Sequence, residues 1–169
     1  MEEQICQALG TISYGLYVVT TADGTVRNGM IVNTVFQVTA DPAQIAVSIN
    51  KQSLTHELLL KSRVFAVMPL EQQTPLVYIG NFGFRTGRTF DKFAKVSYKK
   101  GLLGCPIVEE HSLSAIEAQV VQTVDMGTHT LFIGAVKDAH VFKKEIPLTY
   151  EYYHTVIKGK TPVGATHCS

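Results

Sequence analysis

The sequence predicts a mainly β protein, an antiparallel barrel carrying a few short helices, and three observations predict it. Residues 45 to 50 alternate strictly, with Ile45, Val47 and Ile49 on one face and Ala46, Ser48 and Asn50 on the other. Turn signals at Asp23-Gly24 and Asp41-Pro42 separate apolar runs by hairpin distances. The stretches with helical spacing are all short, so strands must carry most of the core.

The elements follow in chain order. Residues 2 to 9 are expected to form a short helix, and Gly15 to Thr21, rich in Tyr and Val, a strand. Asp23-Gly24 turns the chain into a strand running from Met30 to Thr39, which the polar pair Asn33 and Thr34 interrupts. After Asp41-Pro42 comes the Ile45 strand, then a helix from Leu54 to Lys61. Val64 to Leu70 is a further strand. Thr74 as a cap and Pro75 at the first helical position start a short helix over Leu76 to Phe82. Residues 83 to 101 read as loop, and Ala115 to Val124 and Thr130 to Val141 as two long strands joined by the turn Asp125-Met-Gly-Thr-His129.

Bulk composition fits one globular domain spanning residues 1–169, because 46% hydrophobic against 17% charged residues is enough to fill a single core. Fifteen basic against fourteen acidic residues leave a net charge of +1, which supplies no field for a nucleic-acid backbone or an anionic membrane surface. Cys6, Cys105 and Cys168 are odd in number and widely spaced, which argues against a disulfide framework or a zinc or iron–sulfur site. His56, His111, His140, His154 and His167 have no metal-ligand spacing, so no metal is expected. The acidic start, Met-Glu-Glu-Gln, and reduced thiols point to the cytoplasm.

Chemistry concentrates where the Ile45 strand meets the next helix. Lys51, Ser53 and Thr55 arrive at the expected helix start, so a positive charge, two hydroxyls and free backbone N–H groups converge as a phosphate seat. Asn33 and Thr34 would present an amide and a hydroxyl from the preceding strand to the same site.

Across residues 10 to 160 the chain resembles the flavin reductase-like family of FMN-binding split β-barrels. The resemblance is carried, in family order, by Asn28-Gly-Met30, Asn33-Thr-Val-Phe-Gln-Val-Thr39, Ser48-Ile-Asn-Lys51, Ser53-Leu-Thr-His56, Phe82-Gly-Phe-Arg-Thr-Gly-Arg88, Asp91-Lys-Phe93, Gly127-Thr-His129 and Tyr150-Glu-Tyr-Tyr-His154. It implies a Greek-key split barrel that dimerises, with FMN near the subunit interface and one ring face open. On that match Asn33 and Thr34 line the isoalloxazine edge, while Ser48, Asn50, Lys51, Ser53 and Thr55 hold the ribityl and phosphate groups. Arg88 assists the phosphate, and Lys92 lies near the ring, where a cation stabilises the reduced form.

Gly127-Thr-His129 resembles the family's Gly-Asp-His motif, with Thr128 in place of the Asp. The match makes His129 the residue that places the nicotinamide of NAD(P)H. No Gly-x-Gly-x-x-Gly follows a strand, so no Rossmann domain holds the dinucleotide. Tyr150, Tyr152 and Tyr153 are expected to pack in the core or a dimer interface, with an approach to the ring as the other possibility.

The resemblance implies an FMN-dependent oxidoreductase that takes hydride from NAD(P)H and passes electrons to a rubredoxin-like protein or free flavin. A flavoredoxin-like FMN electron carrier without NAD(P)H activity is the alternative, and a non-catalytic flavin- or haem-binding module is the third. The match extends to the flavin-reductase half of anaerobe proteins that carry a rubredoxin. With no pair of Cys-x-x-Cys knuckles in the sequence, a rubredoxin acceptor is expected to be a separate molecule.

Overall fold

A computed structural model describes residues 1–166, and His167 and Cys168 lie outside them. Nine strands and four helices follow in the order α1 (Glu2–Leu9), β1 (Tyr17–Asp23), β2 (Val26–Val32), β3 (Val35–Ala40), β4 (Ala43–Asn50), α2 (Leu54–Ser62), β5 (Val64–Pro69), α3 (Leu76–Gly83), β6 (Lys99–Lys100), β7 (Pro106–Ile107), β8 (Ser114–Asp125), β9 (His129–Val141) and α4 (Tyr150–Thr155) among the described residues. Seven strands form one antiparallel sheet in the order β2-β1-β5-β8-β9-β4-β3, and β6 pairs with β7 apart from it.

The connection between β2 and β3 dictates the shape of that sheet. These are its two edge strands, so in a flat sheet six spacings of about 4.8 Å would hold them roughly 29 Å apart. Only Asn33 and Thr34 separate Val32 from Val35 in the chain, and three peptide links reach about 11 Å at most. The sheet therefore rolls until its edges meet at that corner. The result is an open barrel, with no ladder pairing β2 to β3. The expected single strand from Met30 to Thr39 is thus two strands on opposite edges, broken at the polar pair that interrupts its alternation.

Parity along the central strands builds two cores. In β1, Val18 joins one apolar cluster and Val19 the other; in β5, Ala66 and Met68 join the first, Phe65 and Val67 the second. Register pairs Val18 with Met68 and Val19 with Val67, so each face is continuous across the two strands. The first cluster lies under α3, through Tyr78, Ile79 and Phe82. The second fills the roll with Ile45, Val47, Ile49, Leu59 and Phe132. Gly134 in β9 is required by this packing, because a Cβ there would sit 2.7 Å from the Phe65 ring.

Helix α2 starts as expected, with the Ser53 hydroxyl accepting from the His56 N–H at 3.1 Å. At α3 the cap is Pro75 rather than Thr74, whose hydroxyl instead donates to the Glu71 carbonyl at 2.6 Å. Helix α4 falls outside the predicted elements. Cys105 is free and buried, whereas Cys6 is disulfide-bonded, so the expectation of reduced thiols fails at Cys6. No helix among the described residues is long and apolar enough to cross a membrane.

Candidate functional site: a groove at the split of the barrel

The corner where the sheet edges meet gathers polar groups from four elements. Asn33 and Thr34 form the link itself, and the Thr34 carbonyl accepts from the Ser48 N–H at 3.2 Å, which ties the link to β4. Ser48 and Asn50 share one face of β4, and register sets Asn50 opposite His129, the first residue of β9. Asn33, Ser48, Asn50 and His129 line one narrow cleft with a cavity volume of about 60 Å³, whose other walls include Met30, Ile31, Ile79 and Phe84. An apolar slot with a few convergent polar groups is the general form of a cofactor site.

Hydrogen bonding at this corner is incomplete. Asn33 is 7% exposed, yet its side-chain Nδ2 has no partner. Its Oδ1 accepts from the Thr34 hydroxyl at 3.1 Å and the Thr166 hydroxyl at 2.8 Å. Asn50 Nδ2 donates to the Gly164 carbonyl at 2.8 Å, and Asn50 Oδ1 accepts from the Gln52 N–H at 2.8 Å. His129 Nδ1 meets the Thr128 hydroxyl at 2.9 Å. Burial lowers the His129 pKa below its ordinary value, partly opposed by a hydrogen bond to the Gly164 backbone, so the ring is neutral at pH 7.

A second, more open cleft of about 580 Å³ continues from the first, sharing Met30, Asn50 and Phe84, and runs over Gln52, Ser53, Arg85, Gly87 and Lys92. The basic and hydroxyl groups expected here are mostly engaged within the fold. Lys51 Nζ pairs with Asp125 Oδ1 at 2.6 Å, and that pairing holds the Asp125 carboxyl below its ordinary pKa. Ser53, besides capping α2, donates to the Asn50 carbonyl at 2.8 Å. Thr55 is fully buried, its hydroxyl accepting from Asn28 Nδ2 at 2.9 Å.

Arg88 folds onto Glu57 at the first turn of α2 and reaches the Gln52 carbonyl at 3.4 Å. Lys92 is buried, and its ammonium donates to the Gly29 and Phe82 carbonyls, 2.9 Å each, tying β2 to α3. Burial lowers its pKa to about 8. Of the expected phosphate seat, Ser53 borders the groove, whereas Lys51 and Thr55 turn to partners within the fold.

A protein-family model described as "Flavin reductase like domain" matches residues 9–158. The chain belongs to the flavin reductase-like domain family. High molecular weight rubredoxin of Moorella thermoacetica is 50% identical over 156 residues, covering 92% of this chain and 68% of that protein. Ferric-chelate reductase (NAD(P)H) of Archaeoglobus fulgidus is 49% identical over 160 residues, 95% of each chain. Among solved structures, flavin reductase HpaC complexed with NADP+ aligns at TM-score 0.75 and 26% identity, over 89% of this chain and 93% of that one. The FMN-binding protein of Thermus thermophilus aligns at 0.76 and 26%, over 84% and 83%.

The groove of this flavin reductase-like chain suits a flavin on its own geometry. An isoalloxazine offers carbonyl acceptors along one edge and two apolar faces. The orphaned Asn33 amide supplies a buried donor for such an edge, and Met30, Ile31 and Phe84 supply apolar walls. Residues missed by sequence reasoning include Gln52, Arg85 and the whole segment 160–166, which lines both clefts. Tyr150 and Tyr153 also line the first cleft, and they anchor this segment: the Tyr150 hydroxyl meets Thr161 Oγ1 at 2.7 Å, and that of Tyr153 donates to the Lys160 carbonyl at 2.9 Å. Among the described residues no group of three or more His, Cys, Asp or Glu is placed to hold a metal.

Proposed function

We propose that this protein takes hydride from NAD(P)H onto FMN held in the groove and passes the electrons on to a separate acceptor. The observation that carries the reading is the meeting of the unpartnered Asn33 amide with Ser48, Asn50 and His129 on an apolar-walled slot. Bound FMN would supply the redox chemistry, accepting two electrons together and releasing them singly. Asn33, Thr34, Ser48 and Asn50 fix the ring edge and ribityl chain. Ser53 and the start of α2 face the phosphate, with Lys51 and Arg88 joining if they release Asp125 and Glu57. Neutral His129 at the mouth of β9 orients the nicotinamide without adding a charge to the slot. Lys92 acts from beneath, holding the backbone of Gly29 and Phe82.

The names of the relatives support an iron-centred acceptor, a rubredoxin-like protein or a ferric chelate, beside free flavin. Each hydride delivered then reduces two ferric ions to ferrous, with one proton released. Residues 1–169 constitute a single domain on this reading, and the cytoplasm, where NAD(P)H is regenerated, is its place.

A twofold homodimer belongs to the same proposal. β3 is an edge strand with exposed Phe36 and Val38, an apolar edge of the kind a second copy covers. Equilibrium sedimentation is expected to give about twice the 18.6 kDa chain mass. For the reaction, stopped-flow reduction of the FMN-loaded protein by NADH and NADPH is the test. Bleaching of the flavin within the turnover time supports it. Slow bleaching by both donors, with fast bleaching by dithionite, selects the electron-carrier alternative.

A further inference from the structure

The segment 160–166 engages many of the groups assigned above to FMN and the nicotinamide. Gly164 supplies its carbonyl to Asn50 Nδ2 and a backbone hydrogen bond to His129, and the Thr166 hydroxyl sits within 3.0 Å of both Asn33 Oδ1 and Thr34 Oγ1. A peptide carbonyl at Asn50 and a hydroxyl at Asn33 are the same kinds of partner that a flavin edge or ribityl chain offers. Both cannot hold these atoms together.

The segment is also irregular. It joins no strand of the sheet, and its internal backbone bonding is a single turn from the Ala165 N–H to the Pro162 carbonyl at 3.3 Å. Its base is fixed, by Tyr153 on Lys160 and Tyr150 on Thr161, whereas Gly164 and Thr166 meet the groove through the polar contacts to Asn50, His129, Asn33 and Thr34. Gly164 has φ of +83°, and a Cβ there would lie 2.7 Å from Asn50 Nδ2, so only glycine fits this close approach.

We propose that residues 160–166 are a strap that serves as a self-ligand, holding the flavin-edge contacts in the flavin-free protein and yielding them when FMN binds. The inference rests on the flavin reading of the groove. Binding of FMN then swings residues 164–166 outward about the Tyr150–Tyr153 anchor, and closure of the strap helps expel FMN. The strap makes the flavin an exchanging ligand, because the contacts FMN releases at Asn33 Oδ1, Thr34 and Asn50 are taken up again by the chain.

The test uses the full chain. Gly164→Ala combined with Thr166→Val removes the close approach and the hydroxyl while leaving the proposed flavin contacts intact. Apparent affinity falls by the fraction of molecules that are open, so relieving closure is expected to tighten FMN on the order of tenfold and to speed its association, read by quenching of flavin fluorescence. In wild-type protein, FMN is expected to increase elastase cleavage after Val163 and Ala165. Weakened or unchanged FMN binding in the double variant would overturn the strap, as would protection of Val163 and Ala165 by FMN, since either makes the segment a wall of the site. The flavin reading fails separately, if Asn33→Ala leaves FMN affinity unaltered.

Discussion

Two polar clusters flank the same groove, and their hydrogen-bond economies differ. At the barrel split, Asn33 keeps an unpartnered amide, and Asn33 and Asn50 are met by a segment that no ladder holds. At the start of α2, Lys51, Thr55, Arg88 and Lys92 all find partners in the framework: Asp125, Asn28, Glu57 and the carbonyls of Gly29 and Phe82. Sequence alone makes the second cluster the more conspicuous, because it is charged. Its geometry makes it scaffold first, and the quieter amide cluster is where a ligand finds open valences. Buried polar atoms are nearly always satisfied, and of the four exceptions among the described residues, Arg27 Nε, Asn33 Nδ2, Tyr78 Oη and Ser112 Oγ, only that of Asn33 lines the groove.

The sharpest way to break that comparison is to remove the most deeply framed cation. Lys92→Met leaves the Gly29 and Phe82 carbonyls without their donor, and each buried unpartnered group costs about 1–3 kcal/mol. Urea unfolding of flavin-free protein is expected to lose roughly 2–3 kcal/mol, since the relief of burying one charge offsets part of the two losses. An unchanged unfolding midpoint together with lost FMN affinity would move Lys92 from the scaffold to the ligand site.

His129 tests the other cluster. If its role is to place the nicotinamide, His129→Ala leaves FMN affinity nearly intact and slows reduction by NAD(P)H on the order of ten- to a hundredfold. Reduction by dithionite stays fast. Loss of FMN would make His129 a flavin contact, and an unchanged rate would reduce Gly127-Thr-His129 to a turn.

Lys51→Ala sharpens the boundary between the clusters. The Lys51–Asp125 pair is exposed, and exposed pairs contribute little. The lysine reaches a phosphate only by leaving Asp125, so the variant is expected to weaken FMN by no more than about fivefold and riboflavin not at all. Titration of both flavins reads this directly. A loss beyond about thirtyfold for FMN alone would show that the ion pair opens fully on binding.

How much of this was legible in the residues follows from range. The alternation at Ile45 to Asn50 and the break at Asn33-Thr34 are local signals, and they located β4 and the corner of the roll. That β2 and β3 lie on opposite edges is set by pairings with β1 and β4, which no local pattern encodes. The commitment of Lys51 depends on Asp125, 74 positions away, and the partners of Asn33 and Asn50 lie 133 and 114 positions off. Residues 160–166 alternate with nothing and carry no charge pattern beyond Lys160. Their role appears only once the roll has brought the corner to them.

The smallest expected effect is a pH dependence that again divides the clusters. His56 and His129 both have pKa values lowered from 6.5, chiefly by burial; for His56 the positive charge of Lys51 adds to this, and for His129 the Gly164 hydrogen bond opposes it. In the unfolded chain both titrate near 6.5, so as pH falls through that value the unfolded state takes up protons before the folded one. Stability linked to these rings is therefore fully present above pH 6.5 and declines below it. His56 belongs to the framework, its Nε2 on Thr130 Oγ1 at 2.8 Å and its ring against Phe132, so its share does not depend on ligand. His129 sits under the strap, so its share changes when FMN displaces Gly164. Thermal melting between pH 7.5 and 5.5 is expected to show a shallower acid decline in His56→Gln with or without FMN. In His129→Gln, the departure from wild type is expected to differ between the flavin-free and FMN-loaded forms. Equal behaviour of the two variants in both forms would erase the distinction between framed and exchangeable polar groups at this groove.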